Sequence, residues 1–279
     1  MPDPKPAQIS AKLERFDLRS SSAAVDTLAV EEPFEIRIRT IDEPLPGTPV
    51  TVTMRTPGHD AELALGFLFS EGLIRSMADI AMIGPCGNTG QIIAVQLAAG
   101  VVDPRPALQR SFYTTSSCGV CGKSSIDAVA RLIPKRSVDS ELRISSAALR
   151  QLPATLQARQ SVFSATGGLH AAALVAKDGS LLAVFEDVGR HNATDKLLGA
   201  ELRLGMRRPA HSALLLSGRA SFELLQKAAM AGIELVAAIG APSSLAVEMA
   251  QSLGITLVGF LRSSGFNVYS GPQRIVAGS

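Results

Sequence analysis

The chain has no tryptophan, two tyrosines and only three cysteines among its 279 residues. So few flat aromatic rings give no stacking platform for single-stranded nucleic acid. The formal charge of +2, from 27 basic and 25 acidic residues, excludes bulk electrostatic capture of DNA or RNA and leaves room only for a local basic pocket. Three cysteines are too few, and odd in number, for a disulfide framework, so a reducing compartment is expected. The longest apolar stretch, 91–102, falls short of the roughly 20 residues that cross a bilayer. The N-terminus, with Pro2, Pro4, Pro6 and mixed charges, lacks the apolar core of a secretory signal. A cytoplasmic protein with neither a membrane nor a nucleic-acid partner is expected.

What is present favours a sizeable core, since 46% of residues are hydrophobic and 19% charged. Residues 1–24 read as a flexible tail that orders only against a neighbour. Strand patterns follow at 34–39 and 50–54, then a helix at 61–71 with Asp60 as N-cap and Gly72 as stop, then a strand at 92–97. Residues 25–138 are therefore expected to form a smaller α+β subdomain ending in a cysteine loop and helix. The polar residues 135–141 mark its boundary with an α/β domain over 139–279.

In that second part, strands at 170–175 and 181–185 flank Asp178-Gly179, a hairpin signal. A helix at 192–202 precedes strands at 212–216, 233–239 and 255–260, which are separated by helices at 221–231 and 243–253. Such alternation predicts parallel strands with right-handed crossovers, covered by helices. Open sheets of this kind bind ligands beyond the carboxyl ends of their strands. Those ends carry Ser217-Gly218-Arg219, Gly240-Ala241-Pro242-Ser243 and Leu261-Arg262, so a pocket is predicted there.

Cys118-Gly119-Val120-Cys121-Gly122 stands just ahead of a helical pattern. Free amides at a helix start, together with Lys123, lower a thiol pKa from about 8.5 toward neutrality. Four readings of this pair are open. A disulfide exchanger would attack with the first sulfur and resolve with the second, but that motif should follow a strand. Zinc needs about four ligands, and only Cys86 remains as a further thiolate. A buried structural pair fits poorly with serine and glycine neighbours. A carrier that takes up a sulfane sulfur as a persulfide and hands it on suits an exposed glycine-rich loop. Cys86, in Gly84-Pro85-Cys86-Gly87-Asn88, reads as a bystander thiol.

Two polar clusters bracket the hairpin: Thr166-Gly167-Gly168-Leu169-His170, and Glu186-Asp187-Val188-Gly189-Arg190-His191-Asn192. One reading makes the second a pocket wall, with Arg190, His191 and Lys196 meeting an anionic ligand. The other makes it a capping network, with Asn192 as N-cap and Glu186, Asp187 and Arg190 paired internally. His170, set among apolar residues, favours a hydrogen-bonded core histidine. Ser217-Gly218-Arg219 can hold a phosphate on backbone amides and a guanidinium, although it is no Walker sequence.

Taken in order, these motifs resemble the FdhD family, the formate dehydrogenase accessory sulfurtransferases. The resemblance runs from about residue 31 to 270. It is carried by Met54-Arg55-Thr56-Pro57-Gly58, Leu63-Ala64-Leu65-Gly66-Phe67-Leu68, Glu71-Gly72 and the Cys118-x-x-Cys121 pair. The two polar clusters, Asp195-Lys196, Ser217-Gly218-Arg219, Pro242-Ser243-Ser244-Leu245-Ala246 and Gly259-Phe260-Leu261-Arg262 complete it. It implies a cytidine-deaminase-like α/β/α main domain with a smaller N-terminal α+β subdomain (α+β overall), as a homodimer. It also implies an activity: taking sulfur as a persulfide from a cysteine desulfurase and passing it to the bis(molybdopterin guanine dinucleotide) molybdenum cofactor destined for formate dehydrogenase. Cys118 would carry the persulfide and Cys121 relay or assist. The family's cofactor-binding motif falls on Phe260, Leu261, Arg262, Ser263, Ser264 and Gly265, with Gly168, Arg190, His191 and Arg219 as further expected contacts. No permanent metal is expected. Zinc-deaminase chemistry is not, because Ser117 precedes Cys118 where proline is needed and no His-x-Glu or Cys-x-Glu occurs. The alternative is a chaperone that holds the cofactor without sulfur chemistry.

Overall fold

The computed structural model describes residues 6–18, 20–105, 133, 142–206 and 209–277. The cysteine pair, its loop and the expected boundary at 138/139 lie outside these residues. The chain opens with an antiparallel ribbon of β1 (Gln8–Phe16) and β2 (Ser21–Ala29), where a flexible tail was expected over 1–24. Asp17 closes its turn by accepting from the Ser20 N–H at 2.8 Å.

Next come β3 (Glu32–Arg39), β4 (Thr48–Arg55), α1 (Asp60–Ser70), β5 (Ile80–Pro85) and β6 (Ile92–Leu97). The four strands form one sheet in the order β4-β3-β6-β5. The alternation in β3 has its physical basis in burial: Phe34, Ile36 and Ile38 are all within 1% of full burial. The cap of α1 differs from expectation. His59 holds the N-cap position in the left-handed region at φ 58°, and Asp60 begins the helix. The Asp60 carboxylate is taken by Arg55, whose Nε donates to it at 2.9 Å. Gly72, at φ 73°, ends the helix as predicted.

The second part begins with β7 (Ile144–Ser145), α2 (Ser146–Gln157) and α3 (Ser161–Thr166). It continues with β8 (His170–Val175), β9 (Leu181–Asp187), α4 (Arg190–Arg203), β10 (Ala213–Leu216), α5 (Phe222–Met230), β11 (Leu235–Ala238), α6 (Ser244–Ser252), β12 (Thr256–Arg262), β13 (Gly265–Ser270) and β14 (Ile275–Val276). The main sheet has six strands in the order β13-β12-β11-β10-β8-β9. β10, β11 and β12 are parallel, as their alternation with α5 and α6 predicted, whereas β8 runs antiparallel to both neighbours. Alternate residues of each strand face opposite cores. Leu214, Leu216 and Val236 pack toward α1, α4, α5 and α6; Leu215, Leu235 and Ala237 pack toward Leu149, Leu152 and Leu156 of α2. The result is a helix–sheet–helix domain of mixed α/β type.

The smaller sheet is not a separate body. Phe34, Ile36 and Ile38 of β3 belong to the same apolar cluster as Leu197 of α4 and Leu224 of α5. The junction is made by α1 crossing α4 at two glycines. A Cβ on Gly66 would sit 1.8 Å from the Asp195 carbonyl oxygen, and one on Gly199 1.8 Å from that of Glu62. Only glycine at both positions permits backbones this close.

Candidate functional site

A cavity of about 620 Å³ opens at the carboxyl ends of the parallel strands. Because β8 runs against β10, with Ala172 beside Leu216, the first residues of β8 reach this same end. Gly167, Gly168, Leu169 and His170 therefore form one wall, while Ser217, Ile239, Leu261, Arg262 and Ser263 follow from β10, β11 and β12. Pro153, Ala154 and Gln157 of α2, with Gln160 and Phe163, close the other side.

The turn after β12 is shaped by a strained residue. Phe260 has φ 52°, a left-handed conformation unusual for a bulky side chain, and it is 46% exposed. The Phe260 N–H donates to the Gly240 carbonyl at 3.0 Å, tying the strand ends together. A register shift between Gly259 and Arg262 leaves Leu261 fully buried under the cavity and Arg262 exposed at its edge. Arg262 donates to the carbonyls of Ile239 and Leu261, at 2.5 and 2.8 Å. Ser264 is exposed beyond it and Gly265 begins β13.

The loop after β10 is less free than its motif suggested. The Ser217 N–H donates to Ala171, the Gly218 carbonyl accepts from Gly240 and the Ala220 N–H donates to Ala241. Ser243 caps α6, accepting from the Ala246 N–H at 3.3 Å. These groups stitch the loops to each other, and Arg219 stays exposed.

His170 lines the cavity half-buried, with its Nδ1 3.2 Å from where a Cβ on Gly218 would stand. Its pKa is lowered from the ordinary 6.5, by burial first and then by the charges of Arg190, Arg219 and His191, so the imidazole is neutral at pH 7. The expectation of a core histidine gives way to a cavity-facing one. Arg190 opens α4, and its Nε is buried without a hydrogen-bond partner among the described residues.

The cluster that follows β9 divides between two tasks. Glu186 accepts from the N–H groups of Val162 and Phe163, at 3.1 and 2.8 Å, and so caps α3. Asp187 is fully buried and accepts from the Thr56 N–H, the Gly189 N–H and Asn192 Nδ2. Lys196 sits 2.7 Å from Asp187 and donates to the Thr56 carbonyl, so its charge is paired in the interior. Asn192 does not cap α4, whose N-cap is Gly189; its amide instead donates to the Met54 carbonyl at 2.7 Å.

His191 faces a second cavity, of about 420 Å³, between β4, α1, α4 and α5. There its Nε2 lies 2.8 Å from Glu223. At the base of this cavity Lys227 donates to Ser70 at 2.8 Å and to both Asp195 oxygens, at 2.9 and 3.0 Å. Burial is the largest influence on Asp195 and pushes its carboxyl up, against the opposing charge of Lys227.

Of the residues expected from the sequence, Gly168, Leu261, Arg262 and Ser263 line the first cavity, while Phe260 lies in β12, Ser264 in the turn that follows and Gly265 at the start of β13. Arg190 and Arg219 contribute charge near His170, and His191 belongs to the second cavity. Cys118 and Cys121 lie outside the described residues. Sequence reasoning did not single out Gln157, Gln160 or Phe163, which no motif marks.

Comparison with known proteins bears on the family and the fold. The FdhD/NarQ family profile matches residues 29–276. A protein named sulfur carrier protein FdhD from Streptomyces coelicolor is 50% identical over 262 residues, spanning 91% of this chain and 90% of that protein. Its namesake from Mycobacterium tuberculosis is 49% identical over 260 residues, spanning 90% and 92%. A crystal structure from Desulfotalea psychrophila, provisionally described as a formate dehydrogenase accessory protein, is similar with a TM-score of 0.74 at 25% identity. That similarity covers 97% of this chain and 100% of the other.

Proposed function

The chain belongs to the FdhD/NarQ family, and from that membership we propose that it is a sulfurtransferase serving formate dehydrogenase. In this reading the Cys118 thiolate attacks the terminal sulfur of a persulfide on a cysteine desulfurase. A new S–S bond forms at Cys118, the donor's S–S bond breaks, and the donor cysteine leaves as a thiolate. Attack by the Cys121 thiolate on the Cys118 sulfur then expels the terminal sulfur as hydrosulfide. The two cysteines supply the two electrons and end as a disulfide. The recipient is the bis(molybdopterin guanine dinucleotide) molybdenum cofactor, as bound substrate, before it enters formate dehydrogenase in the cytoplasm.

The observation that carries this reading is the cavity at the strand ends, walled by Leu261, Arg262 and Ser263 in a chain that also bears Cys118-x-x-Cys121. Its volume of about 620 Å³ lies within the range for small-molecule sites. That is room for one nucleotide end of a large two-ended cofactor. Two ends call for two such cavities, which is the physical reason for a homodimer here. Arg262 at the edge, with Arg190 and Arg219 nearby, suits the diphosphate, and the apolar wall suits the rest.

The test is sulfur transfer with radiolabelled cysteine. Cys118→Ala protein should acquire no label from a desulfurase and should leave formate dehydrogenase inactive. Full activation of the enzyme by Cys118→Ala/Cys121→Ala protein would replace the sulfurtransferase by the cofactor-holding chaperone.

A further inference from the structure

One polar side chain in the strand-end cavity is not used by the fold. Gln160 is 5% exposed and lines the cavity, in the turn between α2 and α3. Its backbone is satisfied: the N–H donates to the Gln157 carbonyl at 3.2 Å, and the carbonyl accepts from the Ser164 N–H at 3.0 Å. Its carboxamide has no hydrogen-bond partner among the described residues and is not one of the fully buried polar atoms that lack one, so it is open to the cavity. The amide opens onto the space of the cavity, where solvent can pair with it, and a ligand that displaces that solvent must offer a donor and an acceptor in its place. The cavity therefore holds a donor–acceptor group whose pairing must come from outside the chain.

The surroundings define what would pair with it. Phe163, Leu169 and Ile239 are apolar wall, and His170 presents an imidazole with no side-chain hydrogen bond among the described residues. The permanent cation of this wall, Arg262, stands at the exposed edge. With Gln157 exposed at the rim, the inner wall presents the Gln160 carboxamide and the His170 imidazole, which suits a planar heterocycle with charge kept outside. We propose that Gln160 is a specificity-determining residue of this cavity, its carboxamide pairing with the donor–acceptor edge of a heterocyclic ligand end. The inference rests on the cofactor reading above, in which that heterocycle is the guanine of one nucleotide end.

Guanosine diphosphate and inorganic pyrophosphate are suitable probes, titrated calorimetrically into the full chain. Gln160→Met keeps the length of the side chain and removes both polar atoms. It should weaken guanosine diphosphate binding about three- to tenfold, the worth of a neutral hydrogen bond or two. Pyrophosphate binding should not change, and the ligand-free melting temperature should stay level or rise. Gln160→Glu, which keeps the acceptor and loses the donor, should also weaken guanosine diphosphate binding. Unchanged affinity in both variants would overturn the inference while leaving the cofactor reading intact. A drop in melting temperature that parallels the loss of binding would also overturn it, by giving Gln160 a structural role. No binding of guanosine diphosphate by the wild-type chain would remove the cofactor reading at this cavity, and this inference with it.

Discussion

Two regions with similar polar content treat their polar groups in opposite ways. Along the seam where α1 meets α4 and α5, each buried charge has found its complement: Asp187 with Lys196, and Asp195 with Lys227 and Ser70. At the strand-end cavity, the side chains of Gln160 and His170 have none among the described residues. The difference teaches that a high density of ionisable residues does not by itself mark a binding site. Most of the stretch from Glu186 to Lys196 joins the two parts of the molecule, and the candidate cavity is marked by polar groups that the fold leaves unanswered.

The comparison can be broken most forcefully at the seam. Lys227→Met strands the Asp195 carboxylate in the interior without its counter-charge, and should cost about 3–5 kcal/mol in denaturant unfolding. Adding Asp195→Leu should recover much of that loss. A single variant that melts like the wild type would show the seam to be no scaffold. Gly66→Ala places a Cβ 1.8 Å from the Asp195 carbonyl oxygen, so α1 and α4 must separate. The expected cost is about 3 kcal/mol by thermal or chemical melting. Retention of full stability would mean that this crossing is looser than described.

The smallest effect sharpens the comparison at the half-exposed rim. The hydrogen bond from His191 holds the Glu223 carboxyl below its ordinary 4.5. A depressed carboxyl contributes stability above that ordinary value and loses it as pH falls through the lower folded value. The Glu223 side chain is 64% exposed, so solvent screening leaves a few tenths of a kcal/mol. Glu223→Gln should therefore cost a few tenths of a kcal/mol near neutrality and nothing well below about pH 4.5, which flattens the stability profile between the two. A larger loss at pH 7 would place Glu223 with the buried seam.

Much of the fold was legible in the sequence because local signals and tertiary packing agree. Asp178-Gly179 makes the β8–β9 hairpin with Gly179 at φ 87°, and the apolar runs at β10, β11 and β12 form the parallel centre. The β1–β2 ribbon was missed: Ile9, Ala11 and Leu13 of β1 alternate with Ser10, Lys12 and Glu14, but the run is short and its partner β2, with Ala23-Ala24-Val25 in succession, does not repeat the pattern. His170 was misjudged because its apolar neighbours signal burial, whereas the antiparallel sense of β8 carries its first residue to the cavity at the strand ends. Lys196 was open to both readings because a cation near glycine and histidine resembles a ligand contact until Asp187 is seen beneath it. Gln160 carries no local pattern. Its burial comes from the meeting of α2, α3 and the end of the sheet, which only the three-dimensional arrangement shows.

The account stands on one chemical claim, that Cys118 carries transferable sulfur. Intact-mass measurement of the full chain after incubation with a cysteine desulfurase and cysteine tests it most directly. The expected result is a gain of about 32 Da, one sulfur atom, removable by a thiol reductant and mapped by peptide digestion to the segment bearing Cys118. No gain, or a gain confined to the peptide bearing Cys86, would contradict the account.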